Sequence, residues 1–283
     1  MENILPASYD IIYTLIINKP SFYFLFMNEV VRKGSKFFKT LYVDELIESD
    51  KNRFFSYSSV DYGEDNPYWN HLTCFPQDNK IETDIIKEAE KFFNKKNKNP
   101  CLYAVSEKEM SAPDDYITYF TDSWMFKPDK ELRKETEIDL ELVTNSVQLE
   151  RFVELMYKTH SDELDDVYSG LSKEYGKQLK RKYDSNFEFC ETNFYILKKY
   201  GENIGHRLIV DDGRDAMLTT LGILPEFRGK GNGRDAFYES LNLLDDRDNI
   251  FLQTEAGTEN EELFDNLGFN TEFKGYGFLK KSS

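Results

Sequence analysis

Cysteine is scarce in this sequence: Cys74, Cys101 and Cys190 are the only three among 283 residues, and they form no C-x-x-C pair. An odd, unpatterned set excludes a disulfide framework and a zinc site of the usual spacing, and it reads as reduced thiols in a cytosolic protein. Positive charge is also short, with 36 Lys and Arg against 52 Asp and Glu and a net charge of −16. Binding a nucleic-acid backbone needs clustered cations that displace counterions, so no nucleic-acid partner is expected. The acidic balance would favour a cationic or amine partner, although solubility alone also accounts for it.

Long apolar runs are missing too. The best stretch, Ile11 to Met27, is split by Lys19-Pro20 and preceded by Glu2 and Asp10. A membrane span needs about 20 uninterrupted apolar residues, and a secretory signal opens on basic ones. The stretch reads as a pair of core elements, and no membrane partner is expected. What the chain does have is 40% hydrophobic and 15% aromatic residues, enough for a substantial core.

A charged run, Lys127-Pro128-Asp129-Lys130-Glu131-Leu132-Arg133-Lys134-Glu135, cannot bury itself and divides the chain near Asp129–Thr136 into residues 1–130 and 137–283. In the first part, Ile81, Ile85, Ala89, Phe92 and Phe93 recur at helical spacing until Asn99-Pro100 stops the helix. Cys101–Val105 and Tyr116–Phe126 read as strands, and Phe54–Phe75 is aromatic-rich and ambiguous. In the second part, Ile138–Val143 reads as a strand. Asn145 caps the following helix with Gln148 three residues on, and Leu149, Phe152, Val153 and Met156 form its apolar stripe. A second helix is expected over Ser172–Tyr183. Phe194–Lys199, Ile204–Asp211 and Ala216–Ile223, joined by short turns, read as an antiparallel meander. A helix from Gly231, a strand at Ile250, a short helix near Asn260 and a strand over Phe273–Lys280 complete an α/β (α+β) pattern.

The informative stretch is Leu221-Gly222-Ile223-Leu224-Pro225-Glu226-Phe227-Arg228-Gly229-Lys230-Gly231-Asn232-Gly233: strand, proline turn, glycine loop, helix. Glycines let the backbone approach a ligand and adopt positive φ. The first amides of a helix lack internal partners and lie at the positive end of its dipole. Together, with Arg228, Lys230 and Arg234, they make a site for phosphate or diphosphate. Neither G-x-x-x-x-G-K-[ST] nor G-x-G-x-x-G occurs, so two common phosphate loops are excluded.

Arg228-x-x-Gly231-x-Gly233 after Gly222-Ile223-Leu224-Pro225 resembles the coenzyme A signature of the GNAT acetyltransferases. Downstream, Glu262-Leu263-Phe264-Asp265-Asn266-Leu267-Gly268-Phe269 is similar to that superfamily's second hallmark, and Gly275-Tyr276-Gly277-Phe278-Leu279-Lys280 to its closing strand. The resemblance covers residues 137–283. It implies a GNAT fold with a mixed, mostly antiparallel central sheet, and acetyl-CoA as co-substrate with no metal. Leu221, Gly222 and Ile223 would hold the pantetheine arm and polarise the thioester carbonyl, and Arg228, Gly229, Lys230, Gly231, Asn232 and Gly233 would hold the diphosphate. It implies direct attack by a small amine or a peptide amine. An oriented backbone donor contributes on the order of several kcal/mol to such a step, and holding both reactants together at least as much.

The proton carriers usual in that family are absent. Met217 and Gln253 stand where a general base is common, and Phe264 where a tyrosine protonates the departing thiolate; Thr258 or Asn260 would replace a capping asparagine. Candidate bases are Asp215, on the strand face of Met217, and Glu255, on that of Gln253, with His206 on the neighbouring strand. The loop Ser161–Asp166 carries four carboxylates where the family lines its acceptor pocket, which suits a cationic amine.

Residues 1–130 lack an R-x-x-G-x-G loop, since Arg32-Lys33-Gly34-Ser35-Lys36 supplies one glycine only. Their element order echoes the second part, so a degenerate GNAT-like repeat is the preferred reading and an unrelated α/β cap the other. Either would wall off the acceptor pocket or mediate self-association as a homodimer. A catalytically silent GNAT-like protein that binds acetyl-CoA or a partner is the rival to an enzyme.

Overall fold

The computed structural model describes residues 29–36, 45–50, 53–57, 67–68, 70–76, 79–127, 134–160, 179–181 and 191–281. The apolar stretch Ile11–Met27, the acidic loop Ser161–Asp166 and Cys190 lie outside them, as does most of the helix expected over Ser172–Tyr183, of which residues 179–181 are helical. Elements in chain order are α1 (29–36), β1 (Glu45–Asp50), β2 (Arg53–Tyr57), β3 (His71–Cys74), α2 (Thr83–Lys95), β4 (Cys101–Ser106), β5 (Tyr116–Phe126), β6 (Ile138–Leu142) and α3 (Ser146–His160). After these come β7 (Thr192–Lys199), β8 (Glu202–Asp211), β9 (Asp215–Ile223), a 3-10 turn (Pro225–Phe227), α4 (Asn232–Leu243), β10 (Asn249–Glu255), α5 (Glu259–Asn266) and β11 (Asn270–Lys280).

Local signals place the helices. α3 opens on a variant of the capping box: the Gln148 amide donates to Asn145 Oδ1 at 3.0 Å, and the Gln148 side chain accepts at 2.8 Å from the amide of Thr144, the residue before the cap. Its stripe, Leu149, Phe152 and Met156, is buried against the sheet. In α2, Ala89 and Phe93 are fully buried, and the helix ends before Asn99-Pro100.

All strands join one sheet of order β1-β2-β3-β4-β11-β5-β10-β9-β8-β7-β6. Two pairs are parallel, β3 with β4 and β9 with β10, and each is bridged by a helix, α2 and α4; the rest are antiparallel. About the central β11/β5 pair the arrangement repeats in reverse order. The last strand therefore lies beside β4, and β5 lies beside β10. Neither stretch of the chain closes its own set of strands; each is completed by a strand of the other. Pairing of this kind leaves no local trace, because a strand's neighbours across a sheet are set by tertiary packing.

Glycines on β11 permit the crossing of side chains over that central pair. A Cβ on Gly275 would overlap the Tyr103 hydroxyl, and one on Gly277 the Phe120 ring. The two rings stack at 5.7 Å between centroids.

Candidate functional site: a cleft between β9 and β10

β9 and β10 run side by side from Asp215–Asn249 to Leu218–Leu252, where their pairing ends. Just beyond, the β8–β9 register shifts between Arg207 and Ile209, which leaves an extra residue on β9 at Thr219–Thr220. Such a bulge bends and twists its strand. It turns β9 from β10 and opens a cleft of about 390 Å³, lined by Leu221 and Ile223 of β9, Gln253 and Thr254 of β10, Arg228, Gly233, Arg234 and Phe237 from the loop and α4, and Asn260 and Phe264 of α5.

The loop after β9 leads from Ile223, which lines the cleft, to the start of α4, where Gly233 and Arg234 also line it. Gly229 and Gly231 have φ of +71° and +82°, left-handed values at which a side chain is strained. Gly231 is the N-cap of α4, and no side chain caps the helix. The first amides of a helix have no partner within it, so those of Asn232 and Gly233 face the dipole's positive end unclaimed by the helix.

The side chains of the same loop serve mainly to shape it. Arg228 Nε donates to the Ile223 carbonyl at 2.9 Å and its Nη2 to the Thr159 carbonyl, tying the end of α3 to the end of β9. Asn232 Nδ2 donates to the Phe227 carbonyl at 2.9 Å, and Asn232 Oδ1 accepts from Lys199 at 2.9 Å. Lys230 donates to the Glu226 carbonyl at 2.8 Å. Of the residues expected to hold the coenzyme, Leu221, Ile223, Arg228 and Gly233 line the cleft; Gly229, Lys230, Gly231 and Asn232 stand between Arg228 and Gly233 in the loop and helix start and are not among its lining residues. Gly222 faces away from it: a Cβ there would overlap His206 and Thr159, which pack tightly against that face of β9.

The candidate bases do not converge. Asp215 stands at the opposite end of β9 from the splay, roughly 13 Å of strand from Thr219. It accepts from Asn249 at 2.6 Å and lines a separate small pocket with Lys33, Asp212, Met217 and Phe251. Glu255 ends β10 opposite Asp122, half-buried, and is not among the residues lining the cleft. His206 is fully buried, with Nδ1 3.2 Å from Thr159 Oγ1. Phe264 lines the cleft and packs on Phe237 at 5.1 Å.

Sequence reasoning missed two residues. Asp122 of β5 is fully buried and accepts from Tyr103 Oη at 3.0 Å and from Gln253 Nε2 at 2.6 Å; Trp124 Nε1 donates to the same tyrosine at 2.9 Å. Burial first, and then the Asp122 charge, push the Tyr103 phenol well above its ordinary value. Arg207 of β8 is 1% exposed and lines the cleft. Its one available signal was an arginine inside the apolar run Ile204–Val210.

No protein-family model matches this sequence, and no curated protein is significantly similar to it. Solved structures do share its fold. A GCN5-related N-acetyltransferase from Kribbella flavida superposes on 85% of this chain and 91% of its own, with a TM-score of 0.57 at 10% identity. Another from Sphaerobacter thermophilus covers 83% of this chain and 82% of its own, with a TM-score of 0.53 at 9% identity. A conserved protein of unknown function from Staphylococcus epidermidis covers 87% and 98%, with a TM-score of 0.58 at 13% identity. The chain therefore has the GNAT fold, and the shared architecture extends over both parts of it.

Proposed function

We propose that the protein is an acyl-coenzyme A-dependent N-acyltransferase, with the coenzyme's diphosphate on the amides of Gly229–Gly233 and its pantetheine arm along Leu221–Ile223. The observation that carries this reading is the end of β9–β10 pairing at Leu218–Leu252, which frees a strand edge beside an uncapped helix N-terminus. Free strand amides and carbonyls suit the amides of a pantetheine arm, and uncapped helical amides suit a diphosphate. A bound thioester supplies an acyl group activated for attack by an amine. The protein's own part is to hold the donor, exclude water and present backbone donors at the bulge.

Acetyl transfer to a small or peptide amine is the specific reaction this reading adopts. A second reading, coenzyme binding without turnover, is favoured by one observation: the places where the family commonly has a base and an acid hold buried Met217 and cleft-lining Phe264. Thiol release from acyl-coenzyme A against a panel of polyamines, amino acids and peptides separates the two. Release that depends on an amine supports the transferase; binding without release supports the silent protein. Gly231→Val should abolish coenzyme binding under both readings, and unchanged binding would refute the loop assignment.

A further inference from the structure

Arg207 is a buried cation that forms no ion pair among the described residues. One of its donors, Nη1, reaches the Thr219 carbonyl at 3.3 Å, while Nε and Nη2 have no hydrogen-bond partner among the described residues. Its guanidinium lies 5.5 Å from the centre of the Phe237 ring. Burial pulls it down to about 9, so it still carries its charge at neutral pH. An unpaired buried charge is costly, and an apolar residue of similar volume would be better tolerated in a site with no further use for it.

Its position along the cleft is specific. Arg207 pairs in register with Leu221 and donates to Thr219, at the closed end where β9 and β10 meet at Leu218–Leu252. Ile223, after which the loop with the proposed diphosphate amides begins, is roughly 13 Å of strand from Thr219 and roughly 7 Å from Leu221. A donor seated as proposed above therefore brings its acyl group, not its phosphates, to Arg207. Leu218, Leu252, Phe237 and Phe264 form the apolar wall there. Among the described residues, three arginines and no carboxylate line the cleft, in a chain whose net charge is −16.

We propose that the acyl group this protein selects ends in a carboxylate, as in a malonyl or succinyl thioester, and that Arg207, whose Nε and Nη2 are sealed from solvent in the unliganded protein, turns within the cleft to bind that carboxylate. Guanidinium and carboxylate match as a planar, two-bond pair, and the surrounding apolar wall strengthens it. The inference rests on the coenzyme reading of the cleft.

The test is titration calorimetry of the full chain with coenzyme A, acetyl-coenzyme A and succinyl-coenzyme A. Wild type should bind the succinyl thioester at least tenfold more tightly than the acetyl one. Arg207→Met should erase that preference while leaving coenzyme A itself bound within about threefold, and Arg207→Lys should retain part of it. Equal affinity of wild type for the acetyl and succinyl thioesters overturns the proposal whether or not the variants fold. So does an equal loss for all three ligands in Arg207→Met, which would place the guanidinium on the phosphates or the pantetheine carbonyls. Absence of binding by any of the three defeats the coenzyme reading itself, and this proposal with it.

Discussion

Tyr103 and Asp122 are hydrogen-bonded at 3.0 Å although a whole strand, β11, lies between theirs. The tyrosine reaches across because Gly275 has no side chain in its way. Asp122 in turn accepts from Gln253, which lines the cleft. The central seam of the sheet is thus wired to the candidate site by buried polar groups, each satisfied by the next.

Gly275→Ala should destabilise the protein by about 2–4 kcal/mol, since the added methyl displaces the tyrosine and strands the Trp124 and Asp122 partners. Urea denaturation measures it. A loss below about 0.5 kcal/mol would show that Tyr103 is not fixed where we place it.

How much of this was readable beforehand divides along a physical line. Everything governed by local chemistry was legible: the Asn145 cap, the meander from Phe194 to Ile223, and the turn, loop and helix start from Pro225 to Gly233. The partners of β5 and β11 were not, because Tyr116–Phe126 reads equally well as a strand beside β4 or beside β10. The paired glycines Gly275 and Gly277 were the only hint that something crosses there. Period-two alternation set Asp215 on the face of Met217 but is silent on distance along the strand, and Asp215 stands at the end away from the splay. Arg207 and Asp122 sit in apolar and aromatic runs, where a charged residue signals either a use or a buried partner; Asp122 has its partners in Tyr103 and Gln253, and Arg207 has the use proposed above.

Gly222→Ala should cost about 1–3 kcal/mol by overpacking against His206 and Thr159, and should weaken coenzyme binding by shifting β9. Adding His206→Ala should recover part of both losses. Thermal melts and calorimetry read them together; an unaltered single variant would contradict the close approach.

Arg247 Nε and Nη2 hold Asp211 at 2.6 and 2.8 Å, clamping the segment after α4 to β8. Burial opposes the Asp211 charge, but the Arg247 bonds and the Gly213 amide outweigh it and keep the carboxyl below its ordinary value. A carboxyl depressed in the folded state contributes stability above its unfolded value, about 3.9, and loses it as pH falls through the lower folded value. Asp211→Asn should therefore lower the melting temperature at pH 7, by an amount equivalent to about 1–2 kcal/mol, with the gap closing towards pH 3. A gap independent of pH would contradict the pairing.

Phe264→Tyr introduces a hydroxyl into the cleft. If protonation of the departing thiolate limits turnover, thiol release should rise at least tenfold while coenzyme affinity changes less than threefold. A rate unchanged by the substitution would place the limit elsewhere.

The central claim is that one loop and one strand edge receive the coenzyme, and residue-resolved amide NMR during a coenzyme A titration tests it most directly. The amides of Gly229, Gly231, Asn232 and Gly233 should shift on adding coenzyme A or adenosine 3′-phosphate 5′-diphosphate, and those of Leu221 and Ile223 with coenzyme A alone. Saturable binding that leaves these amides unmoved would contradict the account.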